Sequence, residues 1–356
     1  MNIFNKVALQ GLKKNRTRTL VTIIGVVLSA ALITAVATFA VSLQTYLVNG
    51  AIMKYGNWHV AFPDVDTSFV QEQADDNRVS NIASFENIGY GMLKGGQNPD
   101  KPYVFIAGFN KEAFSALPVE LLSGRLPENS SEILVPAHIA ANGGVKISVG
   151  DTLSIAVGTR KAGNETLSQH DSYRSGEETL TPTAEKTYTV VGICQRPAFE
   201  ERSAPGYTLI TTADTASPAS SFSAFVALEK PSQLRSYVSS EAESHTYVLN
   251  DDVLRFMGLS EDKMFNALLY SVGGILVALI MVGSVFLIYN SFNISLNERT
   301  HQFGILMSVG ATEKQLRNSV LFEGLCIGAI GIPIGILIGI PSIRLVLSIV
   351  AENFAN

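Results

Sequence analysis

Charge is scarce in this chain of 356 residues: only 16% are Asp, Glu, Lys or Arg, where a soluble domain carries about 25%. The shortfall is concentrated in three stretches, Leu20–Leu43, Phe265–Ile288 and Ser319–Ile340, which hold almost no charge. As helices they would each be about 33–36 Å long, enough to cross a hydrocarbon core of about 30 Å. A plain soluble enzyme, a disordered chain and a coiled coil are therefore excluded. Cysteine is nearly missing too. Cys194 lies in a polar segment and Cys326 in an apolar one, which rules out a disulfide framework and a four-ligand zinc site. The five histidines, at positions 59, 138, 170, 245 and 301, are scattered; each reads as a surface or turn residue, and no metal is expected. No phosphate-cradling Gly-x-x-x-x-Gly-Lys-[Ser/Thr] loop, His-Glu-x-x-His or Gly-x-Ser-x-Gly is present. Hence no catalytic residue and no bound cofactor are expected. No basic patch in the central region invites nucleic acid.

What charge exists is arranged asymmetrically. Residues 1–19 hold Lys6, Lys13, Lys14, Arg16 and Arg18 without an acid, whereas 44–264 hold 17 basic and 27 acidic side chains. Short basic flanks stay in the cytoplasm. The expected architecture is an integral membrane protein of the cell membrane: an α-helical transmembrane bundle of three predicted spans with a large extracytoplasmic α+β domain. Its segments are a cytoplasmic amphipathic helix (1–18), a first span (19–46), the outer domain (47–264), a second span (265–292), a cytoplasmic helix (293–317), a third span (318–341) and an outer tail (342–356). The first apolar stretch is too long for a cleaved signal peptide, whose apolar centre runs to about 15 residues.

Ile3, Phe4, Val7, Ala8 and Leu12 fall on one helical stripe with Lys6, Lys13 and Lys14 off it, a pattern suited to a membrane surface and its lipid. In the outer domain, strand signals occur at 58–62, 102–108, 133–136, 152–157, 188–193, 207–210, 222–228 and 245–249, and helix signals at 67–74, 137–142 and 232–240. Residues 159–185 are polar and aperiodic and read as a long exposed loop. Between the second and third spans, Ser295/Glu298 and Thr312/Gln315 are possible capping boxes. They predict a helix from about Asn297 to Val309, a stop at Gly310 and a restart at Thr312. Phe303, Ile305, Leu306, Met307 and Val309 make that helix too apolar for a free loop. The third span carries Gly324, Gly328, Gly331, Gly335 and Gly339, spacings that line one helix face and admit a close neighbour. Pro333 implies a kink. Glu323, the one acid in a span, either serves a function or pairs with Arg317 near the membrane edge.

The run from Ile294 to Thr312, with Ser295, Glu298-Arg299, Gly304-Ile305-Leu306 and Gly310-Ala311, resembles the signature of the FtsX/MacB family of ABC-transporter permeases. Leu321-Phe322-Glu323-Gly324 resembles the family as well. So does the outer series Leu122-Ser-Gly-Arg-Leu-Pro127, Ser131-Glu-Ile-Leu-Val135, Val149-Gly-Asp-Thr-Leu153 and Tyr188-Thr-Val-Val-Gly-Ile193, which is similar to a MacB-like periplasmic core domain. The resemblance implies a non-enzymatic permease that pairs with a separate ABC ATPase subunit, which binds the ATP, and with a second permease copy or half. It implies that the helix between the second and third spans docks on that ATPase. Glu298, Arg299, Gly304, Ile305, Leu306, Gly310 and Ala311 fall on the matching positions, and Phe303 joins them on the apolar face. Gln302 stands where the family commonly has an acid. The family also has four spans, and residues 319–350 are too few for two, so the chain reads as a fragment or the first half of a longer permease. The function implied is export, extraction or resistance involving peptides, lipoproteins or other amphiphiles, driven by movement of the outer domain. The alternatives are an FtsX-type relay regulating cell-wall hydrolases, and a membrane-anchored enzyme or adhesin.

Overall fold

A computed structural model describes residues 3–214, 221–241, 245–297 and 300–355. It forms two compact units, 47–262 and 1–46 with 263–356. The chain starts with α1 (Ile3–Lys14) and α2 (Arg16–Tyr55). Then come β1 (Val60–Val65), α3 (Thr67–Asp75), β2 (Val79–Met92), β3 (Tyr103–Phe109), α4 (Lys111–Ala116), β4 (Leu121–Gly124), β5 (Glu132–Pro136) and α5 (His138–Gly143). They are followed by β6 (Thr152–Ala162), β7 (Glu165–Leu167), β8 (Thr179–Cys194), β9 (Gly206–Thr212), β10 (Phe222–Leu228), α6 (Leu234–Glu241), β11 (Val248–Leu249) and α7 (Asp251–Met257). The last elements are α8 (Lys263–Asn297), α9 (Thr300–Ser308) and α10 (Glu313–Ala355).

In the helical unit, Thr19–Tyr55, Lys263–Asn290 and Glu313–Ile349 are the stretches long and apolar enough to cross a membrane. Gly331 of α10 lies against Val26, Gly335 against Ala30, and Gly339 against Ala31 and Thr34. The numbers rise together, so α2 and α10 run parallel. Phe292 of α8 lies against Gly324, and the Ser29 hydroxyl donates to the Ser284 carbonyl at 3.3 Å. Those pairings run in opposite senses, so α8 is antiparallel to both. α1 and α9 therefore occupy the same end of the bundle. α1 packs along α10, and Ala8, on the expected lipid-facing stripe, is 2% exposed. That position is turned to protein, not to lipid.

Three boundaries differ from the expected ones. α8 continues through Ser295 to Asn297, so Ser295 lies within a helix and not at the start of one. The residues expected as one cytoplasmic helix, 293–317, are divided among α8, α9 and α10. The expected outer tail, 342–355, is the continuation of α10. Its apolar Leu345, Val346, Leu347 and Ile349 extend the helical pattern beyond Pro341, and both Pro333 and Pro341 lie within the helix.

The 47–262 unit is an eleven-stranded sheet in the order β11-β1-β10-β2-β3-β9-β5-β8-β6-β7, with β4 added on β8. Two strands inside this path also pair with each other. Tyr90 of β2 pairs with Gly158 of β6, which closes β2, β3, β9, β5, β8 and β6 into a ring. Ring closure needs glycine: a Cβ on Gly91 would lie 2.1 Å from Ile155 Cγ2, and one on Gly158 2.0 Å from the Thr181 carbonyl. Val104, Ile106, Ile133, Val190 and Leu209 alternate into one core cluster. The opposite face of β3, with Phe105 and Phe109, joins Phe85, Phe225 and Trp58 in an aromatic cluster. A third cluster joins β1 and β10 to α3, α6 and α7.

Two parts of this sheet were not expected. β2 spans fourteen residues where no strand signal appears, and of the expected loop 159–185 only 163–164 and 168–178 lie outside strands. In the second case a buried ion pair replaces the apolar signal. Arg160 is fully buried and meets Glu178 with two hydrogen bonds, Nε–Oε1 at 3.0 Å and an Nη–Oε2 contact at 2.8 Å. It also donates to the carbonyls of Ser168 (2.7 Å) and Asp171, and its guanidinium faces the rings of Tyr90 and Tyr103. A charge this deep survives because every donor direction is answered.

The sequence motifs of this domain have structural reasons. Arg125 grips both oxygens of Glu132, at 2.7 and 2.6 Å, and the Glu128 amide donates to the same carboxylate. These contacts hold the Glu132 carboxyl down at about 2. Because its folded value lies below the unfolded one, the brace stabilises the fold above about pH 4.5 and weakens as pH falls towards 2. A carboxyl titration by NMR is expected to place the Glu132 midpoint below 3; a normal midpoint would show the brace is not formed in solution. Arg160→Leu alone leaves the Glu178 carboxylate buried without its partner and is expected to cost about 3–5 kcal/mol. Arg160→Leu with Glu178→Leu should recover most of that loss, read as thermal unfolding of the full chain.

Candidate functional site

α9 and its exit form a corner whose two halves are both hydrogen-bonded. Gly310 takes φ +97°, its amide donates to the Met307 carbonyl at 3.0 Å, and the Ala311 amide to Leu306 at 3.0 Å. This pair of bonds is the Schellman stop, which places glycine where a Cβ would strain the backbone. Two residues on, the Thr312 amide donates to Gln315 Oε1 at 2.9 Å, and the Gln315 and Leu316 amides donate to the Thr312 carbonyl. The start of α10 is thus capped by the side chain that the Thr312/Gln315 spacing implies.

The apolar residues of α9 divide into two groups. Phe303 and Leu306, three apart on one face, are half-buried, and so is Ala311. Ile305 and Val309, four apart on another, are 53% and 83% exposed, and Met307 is exposed with them. A Cβ on Gly304 would meet nothing within 4 Å, so this chain's own packing does not require a glycine there. Glu298 and Arg299 lie outside the described residues.

The glycine row of α10 also divides. A Cβ on Gly331 would stand 2.8 Å from Val26 Cγ1, on Gly335 2.5 Å from Ala30 Cβ, and on Gly339 2.6 Å from the Ala31 carbonyl. At Gly324 and Gly328 the nearest atoms are 3.7 Å away, and these two line an open apolar groove with Phe292, Leu321, Leu325 and Ile332. Glu323 is buried.

Within the 47–262 unit, a cavity of about 1010 Å³ lies beside Trp58, Phe199, Arg196, Glu201 and Asp251. Next to it the buried Glu200 accepts from Lys101 Nζ at 3.2 Å, the Thr208 amide at 2.8 Å and, at 2.9 Å, contacts His138 Nε2. Burial alone would raise this carboxyl; His138, Lys101 and the amide outweigh it and hold it below the usual range. His170 sits 2.8 Å from Glu201. Neither histidine–carboxylate pair is legible in sequence, because the partners are 62 and 31 residues apart. No group of three or more His, Cys, Asp or Glu side chains among the described residues could hold a metal ion.

Three helices long and apolar enough to cross a membrane, with a large α+β domain inserted in the sequence between the first and the second, define the architecture of a membrane protein. The model of the MacB-like periplasmic core domain matches residues 19–244, and that of the FtsX-like permease C-terminal domain matches 274–356. The chain belongs to the FtsX/MacB family of ABC-transporter permeases, a family whose membrane subunit is generally not catalytic. No curated protein matches it. Among solved structures, the extracellular domain of the noncanonic ABC-type transporter YknZ from Gram-positive bacteria is similar at 8% identity and a TM-score of 0.30, covering 54% of this chain and 99% of that one.

The two halves of the glycine row should respond differently to bulk. Gly335→Leu forces α2 and α10 apart and is expected to lower the thermal stability of the full chain by several degrees, whereas Gly328→Leu enters open space and should be nearly silent. Equal effects would mean that α10 does not pack on α2 at this register.

Proposed function

We propose that this chain is the permease subunit that converts ATP hydrolysis in a separate ABC ATPase subunit into movement of its extracytoplasmic domain. Its N-terminus and α9 lie in the cytoplasm, and two permease copies or halves work together. The observation that carries the reading is the α9 corner: exposed Ile305, Met307 and Val309 on a short helix whose exit is fixed by the Gly310 stop and the Thr312 cap. A helix that must transmit a push needs an apolar face to grip and ends that do not swivel. Gly304 leaves room for a partner's backbone against α9. Glu298 and Arg299 are assigned to the same contact on their family positions alone.

The movement serves handling of amphiphiles at the outer membrane face: export, extraction or resistance, with peptides or lipoproteins as cargo. The cavity beside Trp58 and Phe199, with Arg196, Glu201 and Asp251 on its walls, offers both apolar and charged contacts to such a molecule. A relay to cell-wall hydrolases would use the same corner; the MacB-like core domain across 19–244 favours transport.

Ile305 and Val309 share the exposed face, so Ile305→Asp with Val309→Asp tests the contact without opening the half-buried Phe303–Leu306 side. Each side chain buries about 1.5–3 kcal/mol of apolar contact when covered. The pair is expected to abolish co-purification of a co-expressed ABC ATPase subunit while leaving membrane insertion intact. A variant that still binds the ATPase and stimulates hydrolysis would overturn the coupling role.

A further inference from the structure

We propose that the α1–α2 corner, with the first turns of α10, is a docking site for anionic phospholipid headgroups. No acid occurs in residues 1–63. α1 ends at Lys14 and α2 begins at Arg16, immediately before the candidate span that opens at Thr19. The twelve-residue α1 is about 18 Å long, so covalent connection alone keeps its lysines near the point where the chain enters hydrocarbon.

Lys6, Lys13, Lys14 and Arg16 are all exposed. Because Ala8 is buried and α1 packs along α10, protein packing fixes the helix, and the cations are what it presents outward. α10 adds the exposed Lys314 and Arg317. Its register brings them level with the corner: stepping back along α10 from Gly331 to Arg317, and by the same rise along α2 from Val26, reaches the junction of α1 and α2. No ion pair engages any of these six cations among the described residues, and Glu313, their nearest acid in sequence, pairs with none of them. Glu323, further along α10, is buried. Six like charges, none held in an ion pair among the described residues, suit an external anion, and connectivity places the bilayer surface beside them. Ammonium and guanidinium groups meet phosphate oxygens through charge-assisted hydrogen bonds. Each basic side chain near an anionic membrane surface contributes about fivefold in affinity.

The test uses the full chain in neutral detergent, titrated with phosphatidylglycerol and with phosphatidylcholine carrying the same acyl chains. At low ionic strength the six cations together are expected to give a preference for phosphatidylglycerol on the order of ten-thousandfold, and 0.5 M salt, used as the screening arm, should erase most of that preference. Lys13→Gln/Lys14→Gln/Arg16→Gln should lower that preference about a hundredfold, with phosphatidylcholine binding unchanged as proof of fold. If that variant does not fold, Lys6→Gln/Lys314→Gln is expected to lower the preference about 25-fold. A charge-matched control, Lys94→Gln/Lys111→Gln/Lys161→Gln, should keep the full preference. Equal binding of both lipids by the unaltered chain, an undiminished preference in the corner variants, or its loss in the control would each overturn the proposal. None of these readouts involves an ATPase, so failure here leaves the coupling role standing, and the reverse.

Discussion

Between Gly331 and Gly339 the backbones of α10 and α2 come so close that a Cβ on α10 would overlap the Val27 or Ala31 carbonyls. In hydrocarbon, where lipid tails are as apolar as leucine, helices gain little from hiding side chains and much from close backbone contact. The three-glycine contact fixes the parallel sense of α2 and α10. From that sense it follows that α1, the end of α8, α9 and the start of α10 gather at one end of the bundle. The corner at Gly310 and the basic junction at Asn15 share one end of the bundle because of packing some twenty residues away.

The inserted domain is constrained differently. Its ring of strands closes where Gly91 and Gly158 remove side chains, and its longest arms are tied down by one satisfied ion pair. Arg160–Glu178 contributes little net stability relative to an apolar pair of equal volume, but its geometry is demanding: guanidinium, two backbone carbonyls and two tyrosine rings must all be in place. It therefore specifies one arrangement of the β6–β8 arms over many near alternatives. The brace between Arg125 and Glu132 does the same for β4 and β5, which explains why Leu122-Ser-Gly-Arg-Leu-Pro127 and Ser131-Glu132 read as linked motifs although neither carries chemistry.

Much of this was legible in the residues, and the gaps have physical causes. The spans are visible because bilayer thickness dictates an apolar length. The corner is visible because helix stops and starts obey local hydrogen-bond rules, and Gly310 with Thr312 and Gln315 satisfies both. β2 was invisible: Asn81, Ser84, Glu86 and Asn87 break the alternation, and they are tolerated because Asn87 bonds Asp64, Ser221 and Ser223, residues distant in sequence. The Arg160 arms failed for the same reason, a polar group whose partner is not local. The glycine spacing announced close packing but not which glycines achieve it; that depends on where α2 lies, which no single-helix pattern encodes. Nor could sequence separate Ile305 and Val309 from Phe303 and Leu306, since that split depends on what α9 rests against.

Exposed apolar area means two different things in one chain. Along the spans, Leu268, Val282, Leu325 and Leu337 face outward, and lipid is a sufficient answer. Ile305 and Met307 of α9, with Val309 just after it, lie outside the three membrane-length stretches, before a stop that directs the chain back into α10. Their exposure there is a standing cost of about 1.5–3 kcal/mol per side chain relative to burial, and α9 has too few residues to hold itself together alone. Phe303 and Leu306 on the sheltered face, the Schellman bonds at one end and α8 at the other supply the stability that lets the opposite face stay uncovered. A short helix kept folded by its neighbours can leave its opposite apolar face uncovered, which is what the ATPase contact proposed above requires.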